Sequence, residues 1–542
     1  MNAGGRRALA CSLGMALLVA AAAAAATPRA LGGVDGRPDA IVDLATAEGA
    51  ALVGAAWRYA DAWIVETDFR APGPDLRPSG PAVRTHDLAP RAGAREFDDS
   101  GWPVVEPASL DARRGTGRLS FGWYRTAVTV PERIGAFDPT GSTVVFEIVV
   151  DDYAEVWVDG VLARRLGQRG GAMVAGFNAP NRVVLGRDVR PGQRFQIAVL
   201  GANGPLSDPP ANFVWIRSAT LDFHRSARPP ALPADQVTVL RADPGLDAVV
   251  PADLTVEKVA DGFLFLEGPV WVREGGYLLF SDPNANVIYA WSPDAGLSVW
   301  RVKSGYAGED VAAYAQPGAN GLTLDPDGRV TAAEHGRRRV TRTERNGVVT
   351  VLADRHDGRR LNSPNDLVYR SDGALYFTDP PFGLPGGHDD PRREVPWSGV
   401  YRVADGVVRL VATDLRGPNG LAFSPDERHL YVTNWDPARK VVMRYEVTAD
   451  GGLTGGRALF DLTGAPGAEA LDGIKVDQRG NLYVSGPGGL WIVSPAGRHL
   501  GTIRLPELPA NMAWGDADGR TLYLAARTAL YRVRLGVPGL RP

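Results

Sequence analysis

The sequence has 542 residues, of which 44% are hydrophobic and 22% charged, and it contains 65 Gly and 42 Pro. This length exceeds that of one ordinary domain, and the composition is typical of a turn-rich, all-β globular protein and not of a helical one. A net charge of −3 and a pI near 6.2 give no reason to expect binding to nucleic acid or to an anionic membrane surface.

The first 26 residues have the pattern of a signal peptide. Arg6 and Arg7 form a basic start, and Ala8–Ala26 is an apolar, Ala-rich stretch that ends in small residues. Cys11 is the only cysteine and lies in this stretch, so the mature chain would have no disulfide and no cysteine nucleophile. We expect a secreted or periplasmic protein without a membrane segment after cleavage; an uncleaved anchor is the alternative.

Residues 27–49 form a poorly patterned leader, and residues 50–228 form a separate domain with alternating strand patterns. Within this domain, residues 97–102 (FDDSGW), 122–125 (GWYR) and 154–160 (AEVWVDG) resemble the galactose-binding-like jelly-roll that accompanies many glycosidases. The resemblance implies a β-sandwich that binds glycan.

A purely structural sandwich is the alternative for this domain. In that case Trp102, Trp123 and Trp157 are core residues and not platforms for a sugar. The next stretch, residues 229–250, reads as a linker because its start is Pro-rich. Gln236–Leu240 within it is predicted to be a strand that closes the following domain against its last repeat.

Residues 251–542 contain one pattern six times: a polar residue, a short strand, a turn and a second strand. The repeats are spaced 53, 45, 54, 53 and 39 residues apart, and they begin at six positions that we call the lead residues: Glu267, Asn320, Asn365, Asn419, Asp472 and Asn511. Repeats of this size built from short strands predict a six-bladed β-propeller. Because the innermost strand of each blade lines the central channel, we expect the lead residues to ring one mouth of that channel.

The lead residues all carry side-chain oxygens, which favour a hard cation such as Ca²⁺, then Mg²⁺ or Mn²⁺. Asn-Gly and Asp-Gly are also ordinary turn formers, and the repetition at the lead position is what favours a lined channel. The sequence has no G-x-S-x-G elbow, no P-loop and no H-E-x-x-H motif.

Several motifs in 251–535 resemble, in order, the gluconolactonase, senescence marker protein (regucalcin) and luciferin-regenerating enzyme family. They are 266–271 (LEGPVW), 334–340 (EHGRRRV), 361–366 (LNSPND), 418–426 (PNGLAFSPD) and 471–473 (LDG). The resemblance implies a six-bladed propeller with one divalent metal in the channel, Ca²⁺ first, with Mg²⁺, Mn²⁺ or Zn²⁺ as alternatives.

The resemblance also implies roles for individual residues. Glu267, Asn419 and Asp472 would be metal ligands, and Asn365 a further ligand or a substrate contact. Where regucalcin has an Arg two residues before this Asn, this chain has Ser363, so lactone recognition by that Arg is not carried over.

The implied reaction is metal-dependent hydrolysis of a sugar lactone by a secreted hydrolase. Asp472 is the first candidate for the general base and His335 the second. The other predicted substrate contacts, beside Asn365, are Asn320, Glu334 and Asp379. Two alternatives stay open: a lactonase or esterase for a non-sugar substrate, and a non-catalytic carbohydrate-binding protein with a structural metal.

Overall fold

Short antiparallel strands make up most of the chain. The computed structural model describes residues 28–30, 38–73, 78–162, 181–204, 212–225, 231–293, 296–314, 316–345, 347–467 and 469–540. The predicted signal peptide, residues 1–26, lies outside these ranges. The described residues divide into an N-terminal unit, within 38–225 and Ala290–Trp300, and a propeller unit, within 28–30, Ala231–Tyr289 and 301–540.

The N-terminal unit contains two antiparallel sheets. The larger sheet has the strand order Val161–Leu162, Tyr153–Val158, Arg194–Asn203, Ser120–Thr129, Trp57–Arg70 and Ala82–Ala89, with Val104–Val105 paired to Trp57–Arg70. The smaller sheet has the order Asn181–Gly186, Thr143–Asp151, Asn212–His224 and Ala40–Asp43, with Arg114–Gly117 paired to Asn212–His224. The predicted all-β sandwich is therefore confirmed, and part of the predicted leader belongs to it, since Ala40–Asp43 is one of its strands.

One apolar core joins the two sheets of this unit. It includes Trp57, Tyr124, Phe146, Ile197 and Phe223, all fully buried. The alternation of apolar and polar residues along each strand places these side chains on one face of their sheet.

Two of the three tryptophans considered as sugar platforms pack against each other. Trp123 is buried, and its ring lies edge-on to that of Trp157 with centroids 6.4 Å apart. Trp102 packs against the same cluster. These contacts fit the structural alternative, and glycan binding by the N-terminal unit stays a prediction.

Helices are few and short in the described residues. There is one α-helix, Ala47–Val53, and the 3₁₀ turns are Pro107–Ser109, Ala234–Gln236, Pro244–Ala248, Arg273–Gly275, Val311–Ala313 and Gly387–Asp389. None of the helices in the described ranges has the length and hydrophobicity needed to cross a lipid bilayer.

Six further sheets of four or five strands, which we call blades 1 to 6, are formed by the described part of the propeller unit together with strand residues of Ala290–Trp300 in blade 1. Blade 1 is Glu267–Val272, Tyr277–Asp282, Val287–Ser292 and Gly296–Val302; blade 2 is Ala319–Leu324, Val330–Glu334, Arg339–Thr343 and Val349–Ala353; blade 3 is Leu367–Tyr369, Leu375–Asp379, Gly399–Ala404 and Val407–Ala412. Blade 4 is Pro418–Phe423, His429–Asn434, Val441–Val447 and Leu453–Asp461; blade 5 is Ile474–Val476, Leu482–Gly486, Gly489–Val493, His499–Arg504 and Thr238–Arg241. Blade 6 is Asn511–Gly515, Thr521–Ala526, Ala529–Arg534, Val256–Asp261 and Arg29–Ala30, and a small hairpin, Arg355–His356 with Arg359–Arg360, follows blade 2.

The first strands of the blades form a closed ring. Each contacts the first strand of the next blade, and the first strand of blade 6 contacts that of blade 1. This cyclic arrangement of antiparallel sheets is a β-propeller, as the repeats predict.

The predicted closing strand is wrong in position. Thr238–Arg241 pairs with His499–Arg504 at the outer edge of blade 5, not with the last blade. Blade 6 is instead completed by Val256–Asp261, which pairs with Ala529–Arg534. Sequence pattern shows that a segment is extended but not which free sheet edge it pairs with, because that choice depends on tertiary geometry.

Candidate functional site

The six lead residues stand where the first strands of the blades begin. All six are buried, with 1% to 8% of their surface exposed. Consecutive lead segments are joined across the blades: Gly321 N–H donates to the carbonyl of Asn365 (2.7 Å), and Thr378 Oγ1 donates to the carbonyl of Asn419 (2.7 Å). The predicted ring of polar residues at one end of the channel therefore exists.

The glycines that follow four of the lead residues allow this close approach. A Cβ on Gly268, where φ is +48°, would lie 2.0 Å from the carbonyl oxygen of Asn320. A Cβ on Gly473 would lie 2.3 Å from Oδ1 of Asn511. These Glu-Gly and Asp-Gly pairs lie where the first strands of neighbouring blades contact each other. They therefore do not form hairpin turns.

Four lead residues each carry a buried oxygen without a hydrogen-bond partner. They are Oδ1 of Asn320, Asn365, Asn419 and Asp472. Buried polar atoms in folded proteins are almost always bonded, so four unpaired acceptors in one ring need a partner. Amide and carboxylate oxygens of this kind are ligands that a hard divalent cation prefers. The donor set therefore fits such a cation.

The two carboxylates of the ring, Glu267 and Asp472, are buried and have raised pKa values. Burial, together with the neighbouring carboxylate of Asp366, raises the pKa of Glu267 to about 7. Burial, and then the charge of Glu267, raises the pKa of Asp472 well above its usual range. In the described residues no group of three His, Cys, Asp or Glu side chains is arranged around a metal position.

Two residues next to the ring, Asp366 and Lys475, form a network with the lead residues Glu267 and Asn511 that the sequence does not predict. Nδ2 of Asn511 donates to Glu267 Oε2 (3.0 Å) and to Asp366 Oδ2 (3.3 Å), and Lys475 Nζ lies 3.7 Å from Asp366 Oδ2. One signal was available for Asp366, since it follows Asn365 where four other blades have Gly. The network fixes the orientation of the Glu267 carboxylate.

His335 is fully buried, and neither of its ring nitrogens has a hydrogen-bond partner. It follows the second strand of blade 2, as predicted, and a Cβ on Gly383 would lie 2.6 Å from the His335 Cβ. Burial lowers the pKa of His335 to about 3, so the imidazole is neutral at physiological pH.

Two of the predicted substrate contacts, Glu334 and Asp379, already form hydrogen bonds or ion pairs with other groups of the protein. Glu334 forms an ion pair with Arg339 (2.6 Å) and accepts a hydrogen bond from Thr341 Oγ1 (2.8 Å). Asp379 is fully buried and accepts from Asn362 N–H (2.8 Å), while its Oδ1 has no partner. Glu334 therefore stabilises blade 2 and Asp379 the loop that leads to Asn365. A substrate contact for either one stays a prediction.

The opposite end of the inner strands is chemically different. A cavity of about 170 Å³ lies there, lined by apolar side chains such as Trp271, Tyr369, Phe423 and Trp514. Lys475 is the basic residue in its lining, and it reaches from this end towards Asp366. The buried polar side chains are concentrated at the lead-residue end, and we place the candidate site there.

Comparison with known proteins identifies the family of the chain. Residues 265–528 match the family model described as SMP-30/Gluconolactonase/LRE-like region. A gluconolactonase of Zymomonas mobilis subsp. mobilis is 39% identical over 314 residues, which cover 55% of this chain and 85% of that protein. Pentonolactonase XacC of Haloferax volcanii is 27% identical over 281 residues, covering 50% of this chain and 84% of its own length.

A solved structure agrees with these matches. The crystal structure of a candidate gluconolactonase from a structural genomics consortium is 33% identical and superposes with a TM-score of 0.50. The superposition covers 56% of this chain and all of that one. The family resemblance of the sequence motifs is confirmed, and the chain belongs to the SMP-30/gluconolactonase/LRE-like family.

Proposed function

We propose that this chain hydrolyses a sugar lactone at the ring of lead residues. In this proposal the ring binds one divalent cation, with Ca²⁺ as the first candidate. Its ligands are Glu267, Asn365, Asn419 and Asp472. The chain is an enzyme of the lactonase class, as its relatives named gluconolactonase and pentonolactonase support. The observation that carries the proposed site is the set of four buried oxygens without hydrogen-bond partners.

Each residue has a defined part in the proposed reaction. When bound, the cation would polarise the lactone carbonyl and lower the pKa of water beside it. Asp472 accepts the proton of the attacking water, because its carboxylate has an unbonded oxygen and burial raises its pKa well above the usual range. Asn320 Oδ1 accepts a hydrogen bond from a substrate hydroxyl. The neutral imidazole of His335 is the second candidate base.

A lactone panel with and without metal tests the proposed function. Purified protein would be treated with a chelator and assayed on aldonolactones and on non-sugar lactones and esters, before and after Ca²⁺, Mg²⁺, Mn²⁺ or Zn²⁺ is added. We expect sugar lactones to be hydrolysed and chelation to abolish the activity reversibly. Full activity after chelation would reject the metal, and activity confined to non-sugar esters would reject the substrate class.

Metal affinity separates the proposed ligands from the other predicted site residues. Asn419→Ala removes an unbonded ring oxygen, and we expect Ca²⁺ binding measured by calorimetry to weaken at least tenfold. Glu334→Gln is the matched control, because its carboxylate is already engaged by Arg339 and Thr341. Equal affinity in both variants and in the wild type would remove Asn419 from the ligand set.

We further propose that the protein is exported, on the basis of the pattern in residues 1–26. Fractionation of a bacterial host that expresses the full chain should show the shortened protein in the periplasm or medium. Replacing Arg6 and Arg7 with Glu should leave the longer form in the cytoplasm. Retention of the wild-type chain in the cytoplasm would contradict export.

A further inference from the structure

A second cavity in the propeller unit has a basic lining. It has a volume of about 400 Å³, and none of the lead residues lines it. We call it the basic pocket, and its charged lining residues are Arg337, Arg338, Arg339, Arg360, Arg392 and Asp354. Five guanidinium groups around one cavity, facing a single carboxylate, indicate a site for an anion.

Not all of these charges are available to a ligand. Arg339 is paired with Glu334 (2.6 Å) and Arg392 with Asp390 (2.8 Å). The side chain of Arg337 is exposed and forms no hydrogen bond or ion pair with the described residues. Arg337, Arg338 and Arg360 against Asp354 leave a net charge of two positive, which matches a phosphate dianion in magnitude.

Arg338 has an unmet hydrogen-bonding requirement. It is 5% exposed, and its Nε donates to the carbonyls of Leu361 (2.7 Å) and Asn362 (3.0 Å) while Nη1 donates to that of Arg392 (2.9 Å). Its Nη2 is buried and has no partner. An unpaired buried donor on a charged group is costly, and an anionic oxygen is the strongest acceptor for it.

The pocket lies at the lead-residue end of the propeller. Arg338 comes three residues after His335, and the carbonyl that it contacts on Asn362 is three residues before Asn365. Three residues span at most about 11 Å, so the carbonyl that Arg338 contacts and the lead residue Asn365 lie on one short segment of the chain. The rings of Tyr306 and Tyr314 pack at a tilt of 41°, with centroids 4.6 Å apart, and the Arg392 guanidinium lies 5.3 Å from the Tyr314 ring centroid.

We propose that the basic pocket binds an anionic substituent of the substrate, a phosphate or a carboxylate, while the lactone ring occupies the lead-residue site. The substrate class is thereby narrowed to acidic sugar lactones. The assignment of the reacting end rests on the proposed function, whereas anion binding by the pocket stands on its own residues.

The test compares three lactones: gluconolactone, which is neutral, its 6-phosphate and glucarolactone, which carries a carboxylate. Each is assayed with wild-type protein, Arg337→Gln, Arg360→Gln and the control Arg345→Gln, an exposed arginine outside the pocket. Inorganic phosphate binding is measured on the same proteins by calorimetry.

We expect the wild type to prefer an anionic lactone, and the two pocket variants to lose about tenfold to a hundredfold in kcat/KM for it, mainly through KM. Turnover of gluconolactone should stay unchanged in both. The phosphate and carboxylate arms show which anion the pocket takes.

Two outcomes would overturn the basic-pocket inference and leave lactone hydrolysis standing. In the first, the pocket variants lose as much kcat/KM for the neutral lactone as for the anionic ones. In the second, the wild type shows no preference for an anionic lactone and the pocket variants have no effect. Absence of turnover on every lactone would reject the proposed function. In that case phosphate binding that is lost in Arg337→Gln and Arg360→Gln, but kept in Arg345→Gln, would still support the pocket, and its absence from the wild type would reject it.

Discussion

Asp472→Asn is expected to lower lactone hydrolysis by about 10²–10⁴-fold and to stay slow at saturating metal. The substitution keeps the size of the side chain and one oxygen, but it removes a negative charge and the basic carboxylate. If Asp472 is both ligand and base, metal affinity should fall and excess metal should restore binding without restoring the rate. The measurement is initial rate across a metal titration.

Glu267→Gln is the matched control for this experiment, since it removes one charge from the same ring by an equally conservative change. The Glu267 carboxylate is already bonded to Gly268 N–H (2.8 Å) and to Asn511 Nδ2 (3.0 Å), so a role in proton transfer is not expected. Excess metal should therefore rescue Glu267→Gln. Equal rescue of Asp472→Asn would transfer the role of base to His335, which His335→Gln would then test.

Gly268→Ala is expected to destabilise the propeller severely, by about 3–5 kcal/mol in the free energy of unfolding. Two effects add at this position. The backbone has φ +48°, which is unfavourable for a residue with a Cβ, and the new Cβ would lie 2.0 Å from the Asn320 carbonyl oxygen. The inner strands of blades 1 and 2 would have to separate. Denaturant unfolding followed by circular dichroism measures the change.

Gly276→Ala separates the two effects. Gly276 is in the same blade and has φ +63°, but no atom lies within 4 Å of its ideal Cβ position. It should cost only about 1–2 kcal/mol, the price of the left-handed conformation. If both variants lose the same stability, close approach of the inner strands makes no contribution at Gly268.

The lead residues were predictable because a propeller repeats one hydrogen-bonded unit, and each repeat must begin at an equivalent position. Asn419 and Asp472 could therefore be assigned to one ring from spacing and residue type alone. The family followed from the motifs around them, such as 418–426. The alternation of strands and turns likewise sufficed for the all-β class.

Other parts of the site depend on contacts between distant segments. Asn511 bridges Glu267 and Asp366, which lie 244 and 145 positions away, so no local pattern reports the bridge. Glu334 is adjacent to His335 in the sequence, yet its side chain pairs with Arg339 on the neighbouring strand. Sequence pattern gives the residue type and its approximate position in a blade. The hydrogen-bond partner of a polar side chain depends on how the blades pack against each other.

The strand that completes blade 6 has a consequence for how the protein folds. Asp261 pairs with Ala529, which is 268 positions later. Closing a loop of that length costs about 4 kcal/mol more chain entropy than closing a four-residue hairpin. During synthesis, Val256–Asp261 can pair with Arg29–Ala30, but its other partner, Ala529–Arg534, is absent until almost the whole chain has been made. Closure of the propeller should therefore be a late and slow event, and until then an unpaired strand edge is available for aggregation or for a chaperone.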